Sequence, residues 1–343
     1  MLYRRHVLGA AIAGAGILWQ PLLAKAAARA LEYMPPTVVM ARNRSGSWIV
    51  SSPLAGLLNT RGSATSGLQE AINHATSNGL ELRVFGGRNA TIDCHATLSI
   101  PPLVDTIIDI GAVNLYWPEP INGPGIEFDT IVHSTFVYRG NSGYRGNDAI
   151  VRLRPRTEDS VRGVIDSDLF FFRLRALGGD GPSGLHLDMS SSPMRSTKIE
   201  IIEIEGRTPI GGTIMSDGVR VTHPTVHPHQ YVLDNTIICH RIKGCRGAGI
   251  RVGVGTPAPD AGRITGNRWS AIIFPHGAGA VGLSTWERSG RYDLSISKEE
   301  RPFDTGIVLE PGASGNLLVV SRNDASINRI VDDSSAQNNK LLP

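Results

Sequence analysis

The pentapeptide Gly184-Leu-His-Leu-Asp188 decides the fold, because variants of it recur along the chain as Gly125-Ile-Glu-Phe-Asp129, Ile150-Val-Arg-Leu-Arg154, Gly218-Val-Arg-Val-Thr222, Gly249-Ile-Arg-Val-Gly253 and Gly306-Ile-Val-Leu-Glu310. Side chains on an extended chain alternate between faces, so the Ile, Val, Leu and Phe positions form one buried face and the intervening positions an outer one. The first five starts, 125, 150, 184, 218 and 249, lie 25, 34, 34 and 31 residues apart, and a weaker member falls near Val281. A short constant strand at such intervals, with variable insertions between, predicts a solenoid. Second strands between the repeats, at Asp168–Leu174, Lys198–Ile204, Tyr231–Ile238 and Leu317–Val320, predict at least two strands per coil. A β-sandwich is the rival reading, but nothing in a sandwich calls for Gly-apolar-x-apolar at a near-constant interval. The expected fold class is therefore all-β, a right-handed single-stranded parallel β-helix.

The rest of the 343 residues fits this frame. Apolar residues make up 41% and aromatics 6%, with 39 glycines, a profile that suits many tight turns better than a helical enzyme. Residues 1–26 read as an export signal: Arg4-Arg5, an apolar stretch from Val7 to Leu18, Pro21 and a small-residue exit at Ala24-Lys-Ala26. The segment looks like a twin-arginine signal, with Tyr3 where Ser or Thr is usual. Its removal takes three of the 34 basic residues and none of the 31 acidic ones, which leaves 31 of each and a formal charge of zero. General nucleic-acid affinity has no support on that balance, and any basic patch is local. A periplasmic or secreted location, with no stable membrane insertion after signal removal, is expected. Of Cys94, Cys239 and Cys245, the last two are the only close pair that an oxidising compartment could bridge. No Cys/His spacing suits zinc and no acidic cluster suits calcium, so neither metal nor cofactor is expected.

Residues 27–60 read as an extended lead-in, residues 61–331 as the solenoid and residues 332–343 as a C-terminal tail. One helix is predicted over 66–79, with Ser66 as its cap, Leu68, Ala71, Ile72 and Ala75 as its apolar face and Gly79 as its stop. Three strands follow at Leu80–Phe85, Ala96–Ile100 and Thr106–Gly111. This opening, from Leu68-Gln-Glu-Ala-Ile-Asn to Ile110-Gly111, resembles that of the pectate-lyase-like superfamily. There, a helix caps the first coil of a right-handed parallel β-helix. The resemblance implies the fold across the mature chain, including a capping helix, and no particular reaction.

Parallel strands stack about 4.8 Å apart, so residues one coil apart become neighbours and those two coils apart are separated by about 9–10 Å. Glu127, Arg152, His186, Arg220 and Arg251 are thereby expected in one outward row, with Asp129, Arg154, Asp188 and Thr222 in a second. A groove along these rows, walled by insertions at 155–165, 189–197, 223–230 and 254–262, suits an anionic or hydroxyl-rich polysaccharide or oligosaccharide. β-Elimination from a uronate polymer needs a cation for the carboxylate, a base for the C5 proton and a proton for the leaving oxygen. Arg152 and Arg220 suit the first role. His186 suits the second, its pKa lowered by the flanking arginines. Tyr231, or His223, His227 or His229 from the Pro-rich loop, suits the third. Hydrolysis or intramolecular glycosyl (fructosyl-type) transfer needs two carboxyl groups instead, about 5 Å apart for retention and roughly 6.5–9.5 Å for inversion. Asp129 with Asp188, or Asp180 at the groove edge, are the candidates. Charges on a solenoid face are also commonly paired across coils, and Glu127–Arg152 and Arg154–Asp188 are the expected pairs. Trp117, Trp269 and Trp286 either stack on sugar rings or pack. A non-catalytic glycan-binding solenoid, or a side-by-side homotrimer, are further expectations.

Overall fold

A computed structural model of the protein describes residues 36–343 except 88, 157–162, 180, 191, 207–214, 223–230, 255–263, 277–278, 298–304, 323–329, 333–337 and 343. The compact unit that contains them spans Thr37–Pro343. Its strands are almost all parallel and lie in three stacked sheets, an all-β, solenoid-like arrangement that excludes the sandwich. The recurring pentapeptides form a nine-stranded sheet through Leu98–Ile100, Ile126–Phe128, Ala149–Leu153, Ser183–Leu187, Val219–Thr222, Ala248–Val254, Val281–Thr285, Thr305–Leu309 and Ile330–Asp332. The longer second strands, such as Thr135–Arg145, Asp168–Gly178 and Lys198–Glu205, belong to the largest sheet. Between the two, six coils among the described residues add a third strand of only two residues, as at Ile131–Val132, Val164–Ile165, Met194–Arg195 and Val232–Leu233. Val164–Ile165 and Met194–Arg195 lie inside the stretches predicted as insertions at 155–165 and 189–197, which they shorten. Tyr231–Ile238, predicted above as one strand, is divided between Val232–Leu233 and Thr236–Cys245.

Why glycine opens the repeat is visible in the packing. Gly184, Gly218, Gly249, Gly282 and Gly306 stand in register along the sheet, which makes Gly282-Leu283-Ser284 a full member. A Cβ on Gly218 would lie 2.3 Å from Ile242 Cγ2 and 2.6 Å from the Gly249 carbonyl oxygen; one on Gly249 would lie 2.2 Å from Ile273 Cγ2. The glycines thus let the isoleucines of the largest sheet approach the backbone opposite. Beyond them run two buried files: Ile126, Val151, Leu185, Val219, Ile250, Leu283 and Ile307, then Phe128, Leu153, Leu187, Val221, Val252, Thr285 and Leu309. The sequence's two-residue alternation therefore becomes a continuous apolar core.

The corner after the two-residue strands repeats as strictly. Asp105, His133, Asp166, Ser196, Asp234, Gly266, Ser289 and Gly315 all adopt positive φ, between 47° and 71°. Gly, Asp and His, which hold six of these eight positions, are among the residues that tolerate this left-handed turn best. The next residue in most coils sends a polar side chain along the axis. Ser134 Oγ accepts from Thr106 N, Asn235 Oδ1 from Thr197 N (3.0 Å), Asn267 Oδ1 from Asn235 N (3.0 Å) and Asn339 Oδ1 from Asn316 N (3.0 Å). These buried oxygens satisfy backbone donors that no ladder would reach. One storey breaks the pattern. Gly290 occupies the ladder position, and the Glu287 carboxylate fills the space its side chain would take, with Cδ 2.6 Å from an imagined Cβ. Glu287 Oε1 accepts from Asn267 N (2.9 Å) and Nδ2 (2.7 Å); Oε2 accepts from Trp269 Nε1 (2.8 Å) and Tyr292 OH (2.5 Å).

The helix forms as Leu68–Ser77 and buries Leu68, Ala71, Ile72 and Ala75, the face predicted above. Ser66 does not cap it: its Oγ donates to Asp93 O, and Thr65 Oγ1 accepts from Gln69 N (2.9 Å). The lead-in is also more ordered than its sequence suggests. Thr37–Arg42, Trp48–Ser52 and Gly56–Leu57 form antiparallel pairs, and the first joins Glu81–Phe85 in parallel, extending the largest sheet. All three cysteines are buried and unpaired, so no Cys239–Cys245 bridge forms. Burial pushes the Cys94 and Cys239 thiols up to about 12. Trp117 and Trp269 pack in the interior and are not available to stack on a sugar. Among the described residues no helix is long and apolar enough to cross a membrane.

Candidate functional site

The outer positions of the nine-stranded sheet line up as Ser99, Glu127, Arg152, His186, Arg220, Arg251 and Ser284, each paired in register with the next. His186 therefore stands between Arg152 and Arg220. The three arginines differ sharply in what they touch. Arg152 is held by two carboxylates: Nη2 and Nε donate to Glu127 Oε1 (2.8 and 3.2 Å), and Nη1 donates to Asp148 Oδ2 (2.7 Å). Its role as a substrate cation, expected above, is taken by these two carboxylates. Arg251 Nε likewise pairs with buried Asp217, at 3.1 Å. Arg220 has no ion pair or hydrogen bond among the described residues, and its Nε is buried without a partner. Such a donor is costly unless a ligand satisfies it.

His186 is half-buried, and its Nε2 lies 2.6 Å from Thr222 Oγ1, a contact in which either group can donate. Its Nδ1 makes no hydrogen bond among the described residues. Burial lowers its pKa below the ordinary 6.5; Asp188 opposes this, Arg220 lowers the value further, and Asp148 and Arg152 act in opposite senses more weakly. The flanking arginines thus act in the expected direction, but desolvation is the larger cause.

In the second row, Arg154 Nε pairs with Asp188 Oδ2 at 3.5 Å, and Asp188 Oδ1 also accepts from Ser190 Oγ (2.9 Å). Asp129 is turned into its own loop, where Oδ1 accepts from Thr130 N (2.7 Å) and Arg156 N (3.2 Å). Asp129 and Asp188, two of the three carboxylates expected for hydrolysis, are therefore already engaged. Tyr231 leads into Val232–Leu233; its carbonyl accepts from Met194 N, and no side-chain bond joins it to His186. Asp180, His223, His227 and His229 lie outside the described residues, as do most of the insertions at 223–230 and 254–262.

Toward the helix, the same face opens into a cavity of about 510 Å³ lined by Gln69, Asn73, Ser99, Glu127, Asp129, Arg154 and Arg156, among others. Gln69 completes the sheet edge here: Nε2 donates to Ser99 O (2.6 Å) and Oε1 accepts from Ser99 N (2.8 Å). Arg156 Nη2 adds a second cation to Glu127, at 3.2 Å. Asp148, Asp217, Arg156 and Gln69 were missed in the sequence reading because none sits at a repeat's outward position. A usable signal existed for two of them, since Asp148 and Asp217 precede the outward arginine of their own strands by four and three residues.

No protein-family model, curated protein or solved structure matches the chain.

Proposed function

We propose that the protein is an exported carbohydrate-active enzyme that cleaves an acidic polysaccharide by β-elimination on the outer face of the nine-stranded sheet. The observation that carries this reading is Arg220, which has no ion pair or hydrogen bond among the described residues, beside an imidazole whose pKa burial lowers and whose Nδ1 makes no hydrogen bond among them. Arg220 would pair with the uronate carboxylate, which acidifies the C5–H bond. His186 Nδ1 would take that proton while Thr222 holds the ring. The C–H electrons then form the C4–C5 double bond, and the C4–O4 bond breaks. O4 leaves with a proton from solvent or from the Tyr231 segment. Arg152 passes from cation to positioning group, since Glu127 and Asp148 hold it rigidly next to His186. The finer fold belongs to this proposal too: a right-handed β-helix of the pectate-lyase-like kind, its first coil closed by the helix Leu68–Ser77. The near-universal handedness of parallel crossovers supports the winding.

The test is formation of unsaturated uronate products, read by ultraviolet absorbance, from pectate, alginate and glucuronate-containing polymers. His186→Ala and Arg220→Ala are each expected to reduce the rate by roughly a hundredfold or more. New reducing ends without unsaturation would overturn elimination. They would favour hydrolysis or transfer in the cavity that gathers Glu127 and Asp129, with Asp129→Asn and Asp188→Asn as the variants to measure. Glycan binding with no product after long incubation would favour a non-catalytic solenoid.

A further inference from the structure

We infer that the outer face of the largest sheet carries a second glycan-binding site, separate from the His186 row, that takes acidic sugar rings. Two cavities of about 510 and 420 Å³ adjoin there and share Ala112 and Arg139 in their walls. The first holds Arg42, Arg83 and Phe85; the second holds Phe170 and Phe172. The strand register explains the grouping: Arg83 pairs with Asp109, Asp109 with Val137, and Val137 with Phe170. Phe85 and Phe172 each stand two residues further along, on the same outward face. Both rings are unusually bare, at 56% and 43% exposed. Exposed aromatics flanking a cavity mark an interaction surface, because burying them there gains nothing for the fold itself.

The charges select the occupant. Three arginines and one carboxylate, Asp109, line the first cavity. Asp109 is consumed by Arg139 Nη1, at 2.8 and 2.9 Å. Among the described residues, Arg42 spends only its Nε on Gly46 O, and Arg83 a single Nη2 contact on Glu81. Most donors of these two guanidinium groups remain open, in the planar fork that matches a carboxylate. A uronic-acid oligomer meets both demands, since its rings offer an apolar face to phenylalanine and a carboxylate to arginine. A second copy of the chain packed by two-fold symmetry would set these arginines against themselves. The acidic class of the ligand rests on the elimination reading; the existence of the site does not.

Calorimetric titration of the full chain with oligogalacturonate and oligoguluronate, and with a neutral gluco-oligosaccharide as control, tests the inference. Two classes of site are expected in the wild type, and one in His186→Ala/Arg220→Ala. Adding Phe85→Ala and Phe172→Ala to that background should weaken the remaining class by about tenfold. Arg83→Gln should weaken uronide binding with both rings intact, which guards against a folding effect of the aromatic double variant. Unchanged affinity in these variants would overturn the site. Equal binding of the neutral oligomer would overturn its acidic selectivity, and a change in molecular mass with unchanged uronide affinity would reassign the face to subunit contact. Absence of unsaturated product, with uronide binding lost only in the Phe and Arg83 variants, would sink the elimination chemistry and leave this site standing.

Discussion

His186 is flanked by two guanidinium groups, and among the described residues only Arg152 of the two is held by carboxylates. Burial, with Arg220 and more weakly Arg152, lowers the imidazole pKa against the opposing pull of Asp188 and Asp148, so the base form persists below the usual 6.5. The acid limb of kcat/KM should therefore rise through an apparent pKa below that value and be flat above it. Arg220→Ala removes the larger of the two arginine influences that depress the pKa, so the limb should move to higher pH while KM increases. An unmoved limb in that variant would separate Arg220 from the titration. Glu287 presents the opposite case. Burial raises its pKa despite four hydrogen bonds. The neutral acid keeps every partner, because its O–H can donate to the Tyr292 oxygen while the Tyr292 hydroxyl donates to Thr285 Oγ1 at 2.7 Å. An acid raised on folding holds its proton in the native state after the unfolded chain has released it. Stability should then fall as pH climbs above the ordinary carboxyl range, and level off beyond the native pKa. Glu287→Gln should remove that slope. It should also cost about 1–3 kcal/mol at low pH, because an amide nitrogen cannot accept from Trp269 Nε1. Denaturant titrations across pH measure both effects.

The elements that were legible in the sequence are those whose period survives over several residues. The Gly-apolar-x-apolar strands announce themselves because the glycine answers a contact with Ile204, Ile242, Ile273 or Ile296, and the alternation answers the core. The two-residue strands have no room for a period, and only a column of left-handed residues beginning at Asp105 betrays the corner that follows them. The hairpin Thr37–Leu57 escaped for another reason: its parallel partner, Glu81–Phe85, lies beyond the helix. The outward row was legible for the same reason as the strands. The acids that neutralise it were not, since Asp148 and Asp217 reach in from strand entrances and Arg156 from a loop. Gly218→Ala tests the packing account directly. With Ile242 Cγ2 and a carbonyl oxygen both inside contact distance, unfolding stability should drop by about 1–3 kcal/mol. The same change at Gly279, which has nothing within 4 Å but a φ of 81°, should cost only about 1 kcal/mol through backbone strain.

For the molecule as a whole, the identity of register from coil to coil means that interactions are almost entirely between adjacent storeys. No disulfide ties distant storeys together among the described residues. Stability in such an array is close to a sum over neighbours. Ala248 pairs with Val281 and Gly249 with Gly282, so those positions are structurally equivalent. Excising residues 249–281 joins Ala248 to Gly282 and keeps the glycine file unbroken. It also removes Asn267 and Trp269, which donate to Glu287, so Asn235 N becomes the donor nearest that carboxylate. The shortened chain is expected to fold, to lose about 4.8 Å of length by small-angle scattering, and to keep elimination activity, since His186, Arg220 and Thr222 precede the join. A scrambled or aggregated product would mean that storeys recognise one another individually. If the excision is tolerated, the architecture behaves as a telescoping frame: reach along a polymer can be lengthened or cut by whole turns, without redesigning the chemistry mounted on it.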